Sequence, residues 1–315
     1  MIGLNDPLSR RALIGGLVAA PVVLRFGRAQ AGAADLFPLG VASGDPWPDG
    51  FVLWTRLAAD PIAPDGRGGL GEPMEVLWEV AADEGFNRIV AAGRTTAQPA
   101  EAHSVHVEVQ GLLPGRPYWY RFTAAGQRSP VGLARTAPAP HAEVDRLKLA
   151  VASCSNWEVG YFSAYGHMAD EAPDLTLFLG DYIYEYTRTG ARAANVVRHY
   201  GFEDATTLAG YRNRYALHRT DPDLQRLHAA APCLVTWDDH EVLNNYSGVW
   251  PDEGGRPDDF LRRRAAGYQA FYEAMPIRRT RLDRRLQMPI HKRVRYGRLA
   301  EFFMLDGRQY RSRGA

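Results

Sequence analysis

Cys233-Leu234-Val235-Thr236-Trp237-Asp238-Asp239-His240 is an apolar run that ends in two carboxylates and an imidazole. Three other stretches have the same form: Leu147 to Cys154 reads LKLAVASC, Leu175 to Asp181 reads LTLFLGD, and Leu299 to Asp306 reads LAEFFMLD. Continuous apolar runs of this kind predict strands of a central α/β sheet, buried on both faces beneath helices. Helical segments are expected between them, over about 160–172, 207–230 and 257–275, with Pro173 and Pro232 stopping helices just before strands. In open α/β sheets, ligands bind beyond the carboxyl ends of the strands. Four strands that bring Cys154, Asp181, Asp238-Asp239-His240 and Asp306 to one rim therefore predict a metal cluster. A cation also explains the crowding of acids, since like charges raise one another's pKa. Any one of these carboxylates alone reads equally well as a cap or turn residue. In Gly180-Asp181-Tyr182-Ile183-Tyr184, Asp181 and Tyr184 converge on one ion if the chain turns there. A tyrosinate is a hard oxygen donor suited to a trivalent cation such as Fe³⁺. The competing reading of Tyr184 is an aromatic cover over the loop.

Outward from this core, the chain divides in two. Over 37–136, short alternating runs separated by turns predict strands with one face in a β-sandwich core: Phe51 to Leu57, Glu75 to Val80, Ser104 to Val109 and Tyr118 to Phe122. Leu113-Pro114-Gly115-Arg116-Pro117-Tyr118 resembles the tyrosine corner of fibronectin type III-like domains. A proline-extended linker is expected over 137–146. His103 and His106 face opposite sides of a strand, which argues against a shared ion; both read as ordinary strand residues. At residues 1–34, Ser9-Arg10-Arg11 precedes a modest apolar run and the small-residue pattern Ala29-Gln30-Ala31. This predicts an export signal of the twin-arginine type. The run is shorter than the roughly 20 apolar residues of a transmembrane helix.

Composition narrows the classes. The 315 residues hold 37 Lys and Arg against 36 Asp and Glu, so no basic excess is available for nucleic-acid or anionic-membrane binding. Two cysteines cannot build a disulfide framework. Cys154 closes one strand while Cys233 opens another; in parallel strands the two sulfurs lie at opposite rims, beyond disulfide reach. Cys233 is thus expected to be a buried apolar residue. The charged segments 188–198 and 252–264 read as solvated surface.

Phe37 to Pro46 (FPLGVASGDP), Ala152-Ser153-Cys154-Ser155-Asn156, Leu179 to Tyr186 (LGDYIYEY), Thr236 to Val242 (TWDDHEV) and Leu305 to Tyr310 (LDGRQY) resemble the alkaline phosphatase D (PhoD-type) family. The likeness runs from about Phe37 to the last residues, in order. It implies a fibronectin-like domain before a calcineurin-like metallophosphoesterase core, exported, hydrolysing phosphomonoesters and phosphodiesters at an Fe³⁺ and Ca²⁺ centre. By that resemblance, Cys154 is the thiolate ligand of iron, Asp181 the bridging carboxylate, Tyr184 the iron-bound tyrosinate and Asp239 a ligand of the second metal. His240 matches the histidine that contacts the phosphoryl oxygens. Asn156, Asp238, Asn244 and Asn245 are weaker candidates for calcium or for supporting the ligands. The expected partners are a phosphate ester and the twin-arginine export machinery, and the expected location is periplasmic or secreted.

The resemblance also implies later His- and Asp-bearing blocks, and those are missing. None of the nine histidines forms an H-x-H pair, and the last, His291, lacks such a context. The sequence therefore predicts a C-terminally truncated metallophosphoesterase core. Two function classes stand: a metal-dependent phosphoric ester hydrolase, or a catalytically impaired remnant acting as an exported binding module. Neither an HExxH helix motif nor a GxSxG elbow is present, which argues against a metalloprotease or a serine hydrolase.

Overall fold

A computed structural model describes residues 35–252, 256–280 and 282–313. The export signal read at residues 1–34 lies outside the described residues. No helix among the described residues is long and apolar enough to cross a membrane.

The first strands are β1 (Val41–Trp47), β2 (Gly50–Arg56), β3 (Met74–Ala81), β4 (Ile89–Ala97), β5 (Ser104–Val109), β6 (Pro117–Ala124), β7 (Gln127–Arg128) and β8 (Gly132–Arg135). Four of them, β4-β3-β6-β7, run side by side in one sheet, and β8 pairs with β6. Strands β1, β2 and β5 lie opposite. Apolar side chains of both layers, among them Phe51, Leu53 and Val107 from one and Val76, Tyr120 and Phe122 from the other, share a single core. This is the expected sandwich. Alternation produced it: β6 buries every second residue. At its corner, the Leu113 amide donates to the Tyr118 hydroxyl at 3.0 Å.

Three parallel strands follow, β9 (Leu149–Ala152), β10 (Leu175–Leu179) and β11 (Cys233–Thr236), with helices α1 (Ser163–Asp170), α2 (Leu208–Arg219), α3 (Pro222–Ala230) and α4 (Pro257–Ala274). The single helix expected over 207–230 is two, because Pro222 restarts it behind the Asp221 cap, whose carboxylate accepts the Asp223 and Leu224 amides. The strands are shorter than the apolar runs because the rim residues turn away.

The two segments are not separate layers. The central sheet has the order β5-β2-β1-β11-β10-β9, with β1 parallel to β11 and Gly44 opposite Cys233. Half of it thus comes from the first segment. Nor does the start of the linker hang free: the Ala137 amide donates to Trp47 O at 2.9 Å, and Thr136 is buried.

Three expectations are corrected. The run 299–306 is not a fourth strand of the central sheet; β13 (Ala300–Met304) pairs antiparallel with β12 (Lys292–Tyr296) in a separate hairpin. Its Val294 and Met304 pack on Leu175, Leu177 and Leu234. Burial on both faces also fails: Leu149, Val151 and Leu179 are 39%, 48% and 45% exposed at and beside the β9 edge. His103 precedes β5, in a left-handed turn (φ 57°), fully buried, with its ring bonded to Arg67 O and Glu72 O. His106 lies in β5 and stacks on Tyr272 with ring centroids 4.5 Å apart.

Candidate metal centre

The carboxyl ends of β9, β10 and β11 meet at one rim. After β9 and β10 the backbone leaves the sheet abruptly: Cys154 (φ 56°) and Asp181 (φ 52°) are non-glycine residues in the left-handed region. Such conformations cost about 1–3 kcal/mol each and persist where surrounding structure enforces them. Here the Cys154 amide donates to Gly180 O at 3.2 Å and the Ser155 amide to Asp181 O at 2.8 Å, locking the two turns together. Gly180, at φ +102°, lets the backbone of Asp238 pass; a Cβ there would lie 2.4 Å from the Asp238 nitrogen.

Asp181, Asp239 and His240 place ligating atoms within 4.8 Å of one another. Cys154 Sγ lies 3.5 Å from Asp181 Oδ2, and the Tyr184 hydroxyl donates to the same oxygen at 3.3 Å. Five residues named from the sequence thus converge. Asp181 Oδ1 is buried without a hydrogen-bond partner. A buried, unpaired carboxylate oxygen is costly unless something satisfies it. A thiol, a phenol, two carboxylates and an imidazole gathered at a carboxylate with one orphaned oxygen fit a cation in character.

The electrostatics agree. Burial raises the Asp181 pKa; His240 lowers it, and Asp239 and Asp238 raise it further. Burial, then Asp181 and Cys154, push the Tyr184 phenol well above its ordinary value, so a nearby positive charge is needed before it ionises. For His240, burial alone would lower the pKa, but the hydrogen bond and charge of Glu185, with Asp181 and Asp239, raise it.

The weaker candidates sit differently. Asn156 caps the short turn Trp157–Val159 by accepting the Glu158 amide. Asp238 accepts from Arg308 Nε at 2.6 Å and Nη2 at 3.2 Å. The Asn244 amide donates to Glu185 Oε1 at 2.7 Å, and the Asn245 amide to Asp239 Oδ2 at 2.6 Å. Asp306 delivers no ligand: its oxygens accept from Trp237 Nε1, the Arg308 and Gln309 amides and Gln309 Nε2. Cys154 is exposed and Cys233 buried, both free thiols.

Sequence reasoning missed three residues. Glu185 accepts from His240 Nδ1 at 2.8 Å. Glu241, fully buried, accepts the Tyr182 amide at 2.6 Å and the Asp238 amide at 2.9 Å, tying two rim loops together. Arg308 donates to Asp239 at 3.1 Å as well as to Asp238. Glu185, Glu241 and Arg308 each stand inside the motifs quoted above; for Glu185, a charge set between Tyr184 and Tyr186 was the available signal.

Residues 149–315 match the PhoD-like phosphatase family, and residues 23–138 match the PhoD-like phosphatase N-terminal domain. The chain belongs to the PhoD-like phosphatase family. Among similar proteins, alkaline phosphatase D of Bacillus subtilis (strain 168) is 50% identical over 277 residues, which is 87% of this chain and 47% of that protein. The solved structure titled "Structure of PhoD" superposes with a TM-score of 0.85 at 48% identity, covering 90% of this chain and 54% of that one. The chain therefore spans about half the length of the relatives it matches. For a PhoD-like phosphatase, the α/β core with its β-sandwich is the expected fold, and the motifs around Cys154, Asp181 and Asp239 fall at the rim of β9, β10 and β11.

Proposed function

We propose that this chain carries the catalytic rim of an exported, metal-dependent phosphoric ester hydrolase acting on phosphomonoesters and phosphodiesters. The observation that carries the reading is the convergence of Cys154, Asp181, Tyr184, Asp239 and His240 on the Asp181 carboxylate, whose Oδ1 is buried and unpartnered. Cys154, Asp181 and Tyr184 would hold Fe³⁺, and Asp181 and Asp239 would hold Ca²⁺, following the family resemblance. When bound, such ions polarise phosphoryl oxygens and lower the pKa of bound water.

The chain's own residues do the rest. Glu185 fixes the His240 ring through Nδ1, which leaves Nε2 free to meet a phosphoryl oxygen or the leaving group. Glu241 holds the Asp181 and Asp239 loops at fixed separation through two backbone amides. No protein nucleophile is needed, and Ser153 and Ser155 have none of that work to do. The export assignment rests on the twin-arginine pattern at residues 9–11.

One observation favours the competing reading, an impaired remnant that binds without turnover. The Arg308 guanidinium donates to both Asp238 and Asp239 and so supplies positive charge where a second metal would sit.

The experiment is a metal titration of the full chain with Fe³⁺ and Ca²⁺, followed by assay on bis(p-nitrophenyl) phosphate. Hydrolysis that is lost on chelation, returns on re-addition, and vanishes in Asp239→Asn and Cys154→Ser supports the hydrolase. Stoichiometric metal without turnover selects the remnant. Metal content unchanged by Asp181→Asn and Asp239→Asn removes both residues from the centre.

A further inference from the structure

Between Leu179 and Leu208 the chain forms no strand, and its one helical element is the short turn Gly190–Asn195. Glu185, which holds the His240 ring, stands in this irregular stretch, so no ladder fixes where its side chain points. Its carbonyl is held from two sides instead. The Ala205 amide donates to Glu185 O at 2.7 Å, and from α2 the Arg214 Nη2 donates to the same oxygen at 3.3 Å. That nitrogen also donates to Thr187 Oγ1 and to Glu203 O, both at 2.9 Å. One corner of a guanidinium thus grips the chain where it leaves the rim, at 185 and 187, and where it returns, at 203.

A neutral donor in this place would do less. Arg214 is fully buried, with its guanidinium 3.5 Å from the Tyr200 ring centroid. Nε and Nη1 have no hydrogen-bond partner, and no carboxylate forms an ion pair with the side chain among the described residues. A buried charge in that state is unfavourable. An amide would serve the carbonyls equally well; what the guanidinium adds is charge. Burial lowers its pKa, and Tyr200, Asp204, Glu158 and Glu185 act against that by attraction. Glu185 is therefore held both by its carbonyl and by the pull on its carboxylate.

We propose that Arg214 is a positioning residue for His240, acting through Glu185. By pinning the Glu185 backbone it keeps the carboxylate on Nδ1, at 2.8 Å, and so keeps Nε2 turned toward the phosphoryl oxygens. The inference rests on the phosphoric ester reading for what His240 does, and on geometry alone for how the ring is held.

The test is a double-mutant cycle on the full chain with saturating Fe³⁺ and Ca²⁺, read as kcat and KM on bis(p-nitrophenyl) phosphate. Arg214→Met is expected to lower kcat about tenfold and to change KM by less than about twofold. Added to Glu185→Gln, it should lower kcat by less than about twofold more, since the group through which it acts is already gone. Arg214→Lys, which keeps the charge, should recover part of the loss. Thr187→Val removes one acceptor of Arg214 at a half-buried position and keeps the fold; it should lower kcat about threefold in the parent and not in Glu185→Gln. A second readout needs neither metal nor turnover: the ¹⁵N signals of the His240 ring, identified by their absence in His240→Asn. Arg214→Met and Thr187→Val should move the Nδ1 signal in the same sense as Glu185→Gln. Equal losses of kcat in the parent and Glu185→Gln backgrounds, or an Nδ1 signal that neither variant moves, overturn the positioning role and leave Arg214 as a support of the loop alone. Failure of the ester reading is distinct. If the parent itself hydrolyses nothing, that reading falls, and the Nδ1 signal still decides how His240 is held.

Discussion

Glu185 is buried, yet nothing in its own chemistry requires it to be there. Its two oxygens are divided between the His240 ring and the Asn244 amide, so one carboxylate sets both an imidazole orientation and the path of the loop that follows it. Partners of this kind fix which ring nitrogen is free, and their loss commonly costs 10–100-fold in metal affinity or activity. Glu185→Gln keeps the size and an oxygen for the Asn244 amide but loses the charge that holds His240. The expected outcome is a drop of about 10–100-fold in metal affinity or turnover with little change in Tm, read by metal titration and thermal melting. An equal loss of stability would mean that the residue serves the fold alone.

At the level of elements, the site depends on how closely β10 and β11 approach at the rim. Gly180→Ala places a methyl 2.4 Å from the Asp238 nitrogen at a φ of +102°, where a side chain is strained even in open space. We expect a loss of about 2–4 kcal/mol, together with weaker metal binding, measured by denaturant unfolding and titration. Packing of α4 on β5 yields a pH effect. Burial lowers the His106 pKa from 6.5 to about 4, against the two backbone acceptors Met275 O and Tyr272 O that raise it. The unfolded chain takes up a proton below about pH 6.5 and the folded chain does not, so stability falls as pH drops from 6.5 toward 4. At about 1.4 kcal/mol per unit, this one residue accounts for roughly 3 kcal/mol at the acid end. Burial shifts His218 and His228 the same way. Unfolding titrations between pH 7.5 and 4.5 should show this decline, with a shallower slope, by about one proton, in His106→Phe.

Across the whole molecule, the most conspicuous surface is apolar. Val151 and Leu179 at the β9 side of the sheet, and Phe303 and Leu305 on and beyond β13, are 48%, 45%, 61% and 72% exposed. Isolated exposed apolar residues are ordinary, whereas two groups of them, one at the β9 side of the sheet and one on the β12–β13 hairpin, stand out. The full chain is expected to bind a hydrophobic dye such as ANS in its folded state. The double variant Val151→Lys with Phe303→Lys should reduce that fluorescence without lowering Tm, since neither side chain is buried. Dye binding unchanged by both substitutions would place the apolar surface elsewhere.

Much of this was legible in the sequence for a physical reason. The apolar runs at 147–154, 175–181 and 233–240 read as strands of one parallel sheet, and a parallel sheet presents its carboxyl ends on one side, so Cys154, Asp181, Asp239 and His240 share a rim. Tyr184 followed from the turn after Asp181. Local pattern could not decide where the fourth run would pair: β13 has the composition of a core strand, but pairing depends on which edge is free when the chain arrives. Nor could it show that β1 joins β11, because hydrogen bonds between strands nearly 190 residues apart leave no local signature. The same holds for Glu185, Arg308 and Arg214. Periodicity and motif determined most of the secondary structure, the rim and the candidate ligand residues gathered there. The tertiary structure alone decided which charges are matched and which are left open, because ion pairing and burial depend on distance in space rather than separation along the chain.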